Sequence, residues 1–209
     1  AAGCGHAWNE ARAAWETEAE EDGQTSVPTI YAAGDGTGVR GSVAAQLAGA
    51  RVALAIARDL GRIDRVIEEG EAAPLRRRLG RIDRIRRFLD ALYRPRAEVL
   101  RPPDATTICR CEEISAGEIR RIAAMGCQGP NQMKAFCRAG MGPCPGRVCG
   151  PVVGALLAEV QGRPVGDVGQ LRIRPPVKPV TVGQMAGVEG LAQPPSFTPG
   201  LVTALTTKQ

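Results

Sequence analysis

The sequence predicts an α+β chain: a short α/β segment, a basic helical stretch, a small all-helical cysteine-rich unit and an extended tail. Three observations predict this order. An apolar run at residues 29–33 ends in a glycine-rich turn, and an alanine-rich helical pattern follows at residues 42–60. Four cysteines later occur as C-x-C and C-x4-C motifs among short amphipathic segments. Beyond Gly162, prolines fix φ and remove hydrogen-bond donors, which favours extended chain.

These composition changes divide the 209 residues into four predicted segments. Residues 1–63 form the α/β piece and residues 64–103 the basic helical connector. Residues 104–163 form the cysteine-rich unit, and residues 164–209 the extended, partly flexible tail.

The α/β piece carries the first candidate site. Residues 29–33 predict a buried strand, with Gly34 and Asp35 in the turn at its carboxyl end. Ligands of open α/β sheets bind beyond the carboxyl ends of strands, and a helix N-terminus there favours phosphate. This turn is therefore a candidate ligand site.

The same turn formally matches a dinucleotide-binding motif. Gly36, Gly38 and Gly41 spell G-x-G-x-x-G between the predicted strand and helix. An NAD site of the Rossmann type also needs an acidic residue at the end of the next strand, about 20 positions on. Asp59 stands near that distance but inside the helical pattern. An NAD site and a purely structural glycine turn both stay open at this point.

The basic stretch predicts an amphipathic helix that Pro95 ends. Its apolar stripe consists of Leu75, Leu79, Ile82, Ile85, Leu89 and Leu92. Its other faces carry Arg76, Arg77, Arg78, Arg81, Arg84, Arg86 and Arg87. The net charge of +5 could attract nucleic acid or an anionic membrane, but aromatic residues make up only 3% of the chain, too few for a base-stacking set. We expect the charged side of this helix to be solvated or to dock onto another part of the α/β domain.

The cysteine motifs carry the second candidate site. Cys109 and Cys111 are separated by one residue, Cys144 and Cys149 by four, and 32 residues lie between the motifs. Thiolates suit iron–sulfur clusters, zinc and Cu(I). A [2Fe–2S] cluster takes two cysteinates on each iron, and a C-x-C pair can reach a single iron. Structural zinc sites more often use C-x2-C or C-x4-C arms. The spacing favours [2Fe–2S], with zinc or unliganded cysteines as alternatives.

Short helices are predicted around these motifs. Ser115 is expected to cap the first helix, with Glu118 completing a capping box. The three helices are expected at residues 116–124 ending at Gly126, at residues 131–138 capped by Asn131, and at residues 152–161 ending at Gly162. The expected unit is an all-helical cage to which a bound metal group contributes much of the stability.

The remaining cysteines and the single histidine have simpler expected roles. Cys127 and Cys137 are expected to be small buried hydrophobes, with a surrogate ligand role as the alternative for Cys137. Cys4 and His6 are expected to be structural. An odd set of seven cysteines argues against a disulfide framework. Free thiols and the lack of a membrane-spanning apolar run predict a reducing, cytoplasmic location.

The cysteine-rich unit resembles the BFD-like [2Fe–2S] domain. The resemblance lies in C-R-C-E-E from Cys109 and in R-A-G-M-G-P-C-x-G-R-x-C-G from Arg138. It implies that Cys109, Cys111, Cys144 and Cys149 are the cluster ligands. The same module is found in the larger subunit of heteromeric amino- and imino-acid dehydrogenases, a family that includes opine oxidases, hydrogen cyanide synthase and D-hydroxyproline dehydrogenase.

The glycine turn resembles the second FAD fingerprint of flavoproteins with two dinucleotide-binding domains. The resemblance implies that Asp35 binds the ribityl chain of FAD and that Gly34, Gly36 and Gly38 allow close backbone approach. In the family several hundred residues precede this fingerprint. We therefore expect the chain to be the C-terminal part of a larger subunit, comprising the end of its FAD-binding fold, and FAD to be held by the full-length parent.

These resemblances imply an electron-transfer subunit of an FAD-dependent oxidoreductase that oxidises amino- or imino-acid C–N bonds. The implied partner is a flavin-containing catalytic subunit of a hetero-oligomer; no nucleic acid and no integral membrane segment are expected. No acid–base pair or nucleophile stands out, so no catalytic residue is predicted. The alternatives are a non-enzymatic [2Fe–2S] ferredoxin-like docking module and a structural zinc module.

Overall fold

The computed structural model describes residues 2–175 and 180–186. The chain divides into two compact units, Ala1–Pro175 and Pro176–Gln209. In the first unit the elements follow in the order β1 (His6–Asn9), β2 (Ala14–Thr17), a 3-10 turn (Gly34–Thr37), α1 (Ser42–Asp59), α2 (Arg65–Leu92), α3 (Ala97–Leu100), β3 (Thr107–Cys109), β4 (Ile114–Ser115), α4 (Ala116–Ala124), α5 (Pro130–Cys137), α6 (Gly150–Gln161) and α7 (Val165–Val168). The second unit contributes α8 (Val182–Ala186).

The N-terminal strands form an antiparallel hairpin. β1 and β2 pair in a register that places Trp8 opposite Trp15, with the rings edge to face at 5.8 Å between centroids. Aromatic cross-strand pairs of this kind stabilise an isolated hairpin. Sequence analysis did not predict this hairpin.

The strand predicted at residues 29–33 is wrong. Only single bridges form in this region, between Gln24 and Tyr31 and between Ala19 and Thr25. A buried strand needs a ladder along its length, whereas residues 23–25 meet this run through one bridge and two backbone hydrogen bonds, from the Thr25 amide to the Ile30 carbonyl and from the Ala32 amide to the Gly23 carbonyl. The run instead leads directly into the 3-10 turn.

The long helices α1 and α2 pack against each other, and their predicted positions are confirmed. Ala44 and Leu47 of α1 contact Leu79 of α2 in a small apolar cluster. The side chain of Asp64 accepts the Ile67 amide at 2.8 Å and so caps the start of α2. In the described part of the chain, no helix combines the length and apolarity that crossing a bilayer would require.

The predicted apolar stripe of α2 is only partly correct. Leu79 is buried, and Leu75 and Ile82 pack against the same cluster. Ile85 and Leu92 are instead 64% and 60% exposed. The reason is helical phase: at about 100° per residue, residues 85, 88 and 92 lie roughly 120–180° around α2 from the buried Leu79.

A buried carboxylate joins α2 to the N-terminal hairpin. Asp90 is 7% exposed and accepts hydrogen bonds from Arg12 Nε at 2.7 Å and Arg86 Nε at 2.6 Å. Burial alone would raise the pKa of Asp90, but the hydrogen bonds from the two guanidinium groups more than offset it and hold that pKa below its usual range.

The cysteine-rich unit is not all-helical. β3 and β4 form an antiparallel hairpin that opens it, with a register shift between Thr107 and Cys109. The turn between β3 and β4 contains Glu113 in the left-handed backbone conformation, with φ 55°, and this lets the chain reverse direction. Helices α4, α5 and α6 then enclose an apolar core centred on fully buried Ile119 and Leu156.

The helix limits in this unit largely match prediction. α4 begins with the Ser115 side chain accepting the Glu118 amide at 3.2 Å, as predicted, and α6 ends at a left-handed Gly162. α6 starts at Gly150, two residues earlier than expected. The predicted cap of α5 is wrong, because Gly129 precedes the helix and Pro130 occupies its first turn.

The prediction of an extended tail is only partly correct: among the described residues, 169–175 and 180–181 form no helix, but two short helices interrupt the extended chain. Residues 165–168 form α7 and residues 182–186 form α8. Thr181 and Gln184 explain the second helix: the Thr181 hydroxyl accepts the Gln184 amide, and the Gln184 side chain accepts the Thr181 amide. The extended, partly flexible chain predicted for residues 187–209 lies outside the described residues.

We expect Asp90→Ala to lower the free energy of unfolding by about 3 kcal/mol, because it leaves two guanidinium groups without their buried partner. Urea denaturation at neutral pH measures this loss. Glu10→Ala is the control, because Glu10 and Arg94 form an exposed pair at 3.8 Å that contributes at most about 0.5 kcal/mol. Equal effects of the two substitutions would contradict the role of Asp90.

The same comparison has a defined pH dependence. The pKa of Asp90 is lowered on folding, so its stabilising contribution is present above the unfolded-state pKa. It is lost as pH falls through the folded-state pKa. The stability difference between wild type and Asp90→Asn should therefore shrink in acid, below about pH 4.

Candidate metal centre and glycine turn

The C-x-C motif lies at the tip of the β3–β4 hairpin. Cys109 ends β3 and is 1% exposed, whereas Cys111 lies in the turn and is exposed. The hairpin is fixed from below by Ile108 and Ile114, which belong to the apolar core. The motif thus presents one thiol inward and one at the surface.

The C-x4-C motif lies in the connection from α5 to α6. α5 ends at Cys137. The next residue, Arg138, has a left-handed backbone conformation that turns the chain towards the hairpin. Cys144 is half-buried in the following loop, and Cys149 directly precedes α6 and is 2% exposed. An ion pair from Arg138 Nε to Glu112 Oε2, at 2.8 Å, links this loop to the hairpin.

The four predicted ligand residues come together across the two motifs. The Cys149 thiol is within hydrogen-bonding reach of Cys109, and the Cys144 thiol is within reach of Cys111. Each thiol of the hairpin therefore faces one thiol of the α5–α6 connection. One of these two pairs is buried and the other lies near the surface.

Local environment shifts the pKa values of Cys149 and Cys144 in opposite directions. Burial, together with the neighbouring Cys109, raises the pKa of Cys149 to about 12. Cys144 is different: amides of the loop, led by that of Val148, hold the pKa of this thiol below its usual range. Backbone N–H groups directed at a sulfur are the usual outer contacts of thiolate ligands.

The thiols are arranged as two pairs, and not as four groups around one point. Within residues 2–175 and 180–186, no three or more histidine, cysteine, aspartate or glutamate side chains are grouped so that they could hold a metal ion.

Glycines allow the two motifs to approach. A β-carbon at Gly142 would overlap the Cβ of Cys111 and lie 2.8 Å from its Sγ. The amide of Gly140 donates to Cys109 Sγ at 3.5 Å. A glycine without a side chain, such as Gly142, and an amide that donates to sulfur, such as that of Gly140, allow the backbone to lie close to the ligand thiols.

Two residues that hold the site were missed in the sequence. Leu171 covers the loop, since β-carbons at Gly140 and Gly146 would lie 2.6 Å and 2.5 Å from its methyl groups. Asn131 fixes that segment: its side chain donates to the Gln170 carbonyl and accepts the Arg172 amide. A single leucine in a polar, proline-rich stretch gives no sequence signal for such a long-range contact.

The other cysteines take the places expected of them in the core. Cys127 and Cys137 are buried, and burial raises the pKa of both thiols. Cys137 donates to the Met133 carbonyl at 3.5 Å. Cys4 is half-buried and lies 3.4 Å from the Thr25 hydroxyl in the N-terminal region. His6 is exposed and contacts the Cys4 carbonyl and Thr17, which agrees with a structural role.

The glycine turn precedes α1 as a 3-10 turn. Gly34, at φ 65°, packs against Ala45 of α1, and the Thr37 hydroxyl donates to its carbonyl at 3.0 Å. Asp35 and Gly36 are exposed, whereas Gly38 is buried against the Arg12–Glu16 ion pair. Within the described residues the Asp35 carboxylate has no hydrogen-bond or ion-pair partner, so it is available to a ligand.

The turn does not support an NAD site of the Rossmann type. Asp59 is the last residue of α1, and its carboxylate is engaged by Arg58 and Tyr31. The next described element is a helix, α2, so the strand that such a site requires is absent among the described residues.

A cavity of about 680 Å³ lies beside the turn, between the N-terminal hairpin, α1 and α2. Ala33 and Thr37 of the turn line it. Arginines and carboxylates dominate the rest of its wall, including Arg12, Arg40, Arg51, Glu16 and Asp83. Most of these charges are paired across the cavity wall, as in Arg40 with Asp83 at 3.6 Å.

Comparison with known proteins identifies a family that the cysteine-rich unit matches. Residues 107–159 match the family described as the BFD-like [2Fe-2S] binding domain. The A subunit of opine oxidase from Rhizobium meliloti is 43% identical over 187 residues, which are 89% of this chain and 36% of that protein. Hydrogen cyanide synthase subunit HcnB of Pseudomonas aeruginosa is 38% identical over 75% of this chain and 34% of its own length.

A solved structure shares the fold. The crystal structure of L-proline dehydrogenase from P. horikoshii superposes with a TM-score of 0.63 at 17% identity, over 87% of this chain and 34% of that one. The chain thus spans about a third of the length of these proteins. It is similar to the opine oxidase A subunit and to hydrogen cyanide synthase subunit HcnB, and its residues 107–159 match the BFD-like [2Fe-2S] binding domain.

Proposed function

We propose that this chain is the electron-transfer part of a flavin-dependent dehydrogenase that oxidises an amino- or imino-acid C–N bond. Its cluster ligands are Cys109, Cys111, Cys144 and Cys149. The observation that carries the proposal is the pairing of thiols from two distant motifs, Cys109 with Cys149 and Cys111 with Cys144, within residues that match the BFD-like [2Fe-2S] binding domain. A bound cluster would accept and release one electron at a time.

The chain's own residues would tune such a cluster. The core around Cys109 and Cys149 excludes water on one side, and burial of this kind lowers the local dielectric. The Gly140 amide and the amides beside Cys144 offer hydrogen bonds to ligand sulfurs. Burial, ligand type and such hydrogen bonds are the levers that set a cluster's reduction potential.

The glycine turn is proposed to bind FAD within a fold of two dinucleotide-binding domains, of which residues 1–63 would be the C-terminal piece. The exposed, unpartnered carboxylate of Asp35 could accept hydroxyl protons of the ribityl chain. Of the three glycines that the resemblance assigns to the cofactor, Gly34 and Gly38 face other protein groups, and Gly36, beside which a β-carbon would meet nothing within 4 Å, would leave room for FAD. Substrate oxidation would take place on a separate flavin-containing subunit, because neither site described here provides an acid–base pair.

The cysteine assignment predicts which thiols are essential. Replacing any of the four proposed ligands by serine should abolish most iron and acid-labile sulfide, since the cluster would lose one of its four thiolates. Metal and sulfide analysis, with an EPR spectrum of the dithionite-reduced protein, measures this. Cys4→Ser is the matched control and should keep two irons and two sulfides per chain, the content of one [2Fe–2S] cluster. Zinc without iron in the wild type would instead establish a structural zinc module.

Gly142→Ala should disturb the site without removing a thiol. The added methyl group overlaps Cys111, so we expect less iron per chain and a loss of about 1–3 kcal/mol in unfolding free energy. Iron content and thermal unfolding test this. Gly80→Ala in α2 is the control: a β-carbon there meets no atom within 4 Å, and alanine should leave stability unchanged or raise it. A wild-type iron content in Gly142→Ala would show that the two loops separate when the cluster binds.

The flavin assignment predicts a specific loss on changing Asp35. Asp35→Ala in the full-length subunit should weaken FAD binding about tenfold or more, the usual effect of removing a charged hydrogen-bond partner. FAD fluorescence titration measures the affinity. Glu98→Ala removes an exposed carboxylate from α3 and should have no effect. If both variants retain FAD equally, Asp35 does not bind the cofactor.

A further inference from the structure

One side of α2 has no partner within the described residues. Residues 77, 81, 84, 88 and 92 recur at three or four positions and so lie on one side of the helix. This side is opposite to Leu79, which packs on α1. We call it the exposed α2 face; it consists of Arg77, Arg81, Arg84, Ile85, Phe88 and Leu92.

The apolar part of this face is large and open to solvent. Ile85, Phe88 and Leu92 are 64%, 65% and 60% exposed. They lie within two turns of helix, so they form one continuous patch. Apolar side chains clustered in this way mark interaction surfaces more often than scattered single ones.

The charged part of the face is also unpartnered. Arg77, Arg81 and Arg84 form no ion pair within residues 2–175 and 180–186. Of the other arginines in this stretch of α2, Arg76 pairs with Glu69 and Arg86 with Asp90, whereas Arg78 and Arg87 also form no ion pair among the described residues. Three unpaired guanidinium groups, those of Arg77, Arg81 and Arg84, thus share a side with the exposed apolar residues.

We propose that the exposed α2 face docks the partner subunit of the enzyme, through a protein surface that presents carboxylates around an apolar pocket for Phe88. Arginine and aromatic side chains are the residue types that most often dominate protein–protein binding energy. Residues 77–92 extend over about 24 Å, enough for the centre of an ordinary interface. The inference rests on the proposed function for the identity of the partner as a subunit of the same enzyme.

A second copy of this chain fits the face poorly. The chain carries a net charge of +5, so two copies repel each other. The acidic residues of α2 nearest to the face are already engaged, because Asp83 pairs with Arg40 at 3.6 Å and Asp90 binds Arg12 and Arg86. An acidic partner of different sequence supplies the charge that a second copy lacks.

The test uses the iron-loaded chain co-expressed with the flavin-containing subunit of its own organism. Analytical ultracentrifugation of the purified proteins gives the dissociation constant. We expect the triple variant Arg77→Glu, Arg81→Glu, Arg84→Glu to weaken binding roughly a hundredfold or more, and Phe88→Ser about tenfold. Wild-type affinity should fall as salt is raised.

Matched controls distinguish an effect of the exposed α2 face on binding from effects of net charge and of folding. The triple variant Arg62→Glu, Arg96→Glu, Arg101→Glu makes the same charge change at exposed positions elsewhere. Met125→Ser removes a 66% exposed apolar side chain outside the face. Both should bind within about threefold of wild type, and all variants should keep wild-type iron content. Hydrogen exchange should slow at residues 77–92 when the partner binds.

Each other outcome overturns a defined part of the proposal. If a complex forms and the face variants bind like wild type, the docking surface lies elsewhere and the proposed function stands. If the iron-loaded wild type forms no complex, both this inference and the heteromeric function fail. Binding of phosphatidylglycerol vesicles or duplex DNA that only the face variants lose, or self-association through the face, would assign the face to those ligands instead.

Discussion

The close approach of Gly142 to Cys111 is the contact on which the candidate metal centre depends. The two cysteine motifs are separated by 32 residues and belong to different kinds of structure, a hairpin and a loop between helices. Only the absence of a side chain at position 142 lets the loop come near enough for thiols of both motifs to meet. The core formed by α4, α5 and α6 supports this arrangement, because it fixes the base of the hairpin and the start of α6.

The N-terminal part of the chain is held together mainly by polar contacts. Its apolar cluster between α1 and α2 is small, and much of the remaining contact is polar. Asp90 links α2 to the hairpin through Arg12, and Arg58 joins Asp22, Asp59 and Glu68. Exposed pairs of this type contribute little, so the buried Asp90 matters most. The cysteine-rich unit is instead organised around apolar burial.

Local patterns in the sequence predicted the features that local forces decide. The limits of α1 and α4, the Ser115 cap and the termination of α6 at Gly162 follow from periodicity and capping chemistry, and all are confirmed. The convergence of the cysteine motifs could be predicted only by resemblance, because spacing alone left zinc open. Which thiols share an iron, and whether Asp35 contacts FAD, stay predictions.

Contacts between distant segments explain the rest. The strand predicted at residues 29–33 had the right composition, but composition cannot supply the neighbouring strands that a ladder requires. The apolar stripe predicted for α2 spans a wide arc of the helix, and the sequence does not state which part of that arc a neighbour covers. The side chain of Asn131 was assigned to a helix cap, whereas it binds the backbone of residues 170 and 172. Each error concerns a partner far away in the chain.

Leu171 also affects which substitutions are tolerated at its own position and at Gly140 and Gly146. Its methyl groups occupy the space that β-carbons at Gly140 and Gly146 would need. A smaller residue at 171 would relieve that crowding, yet the backbone at both glycines has positive φ, 84° and 79°, which still disfavours other residues. Substitution is therefore asymmetric: position 171 can drift towards smaller side chains while its two neighbours in space stay glycine. Among descendants of this chain, variation should accumulate at the leucine and not at the glycines it covers.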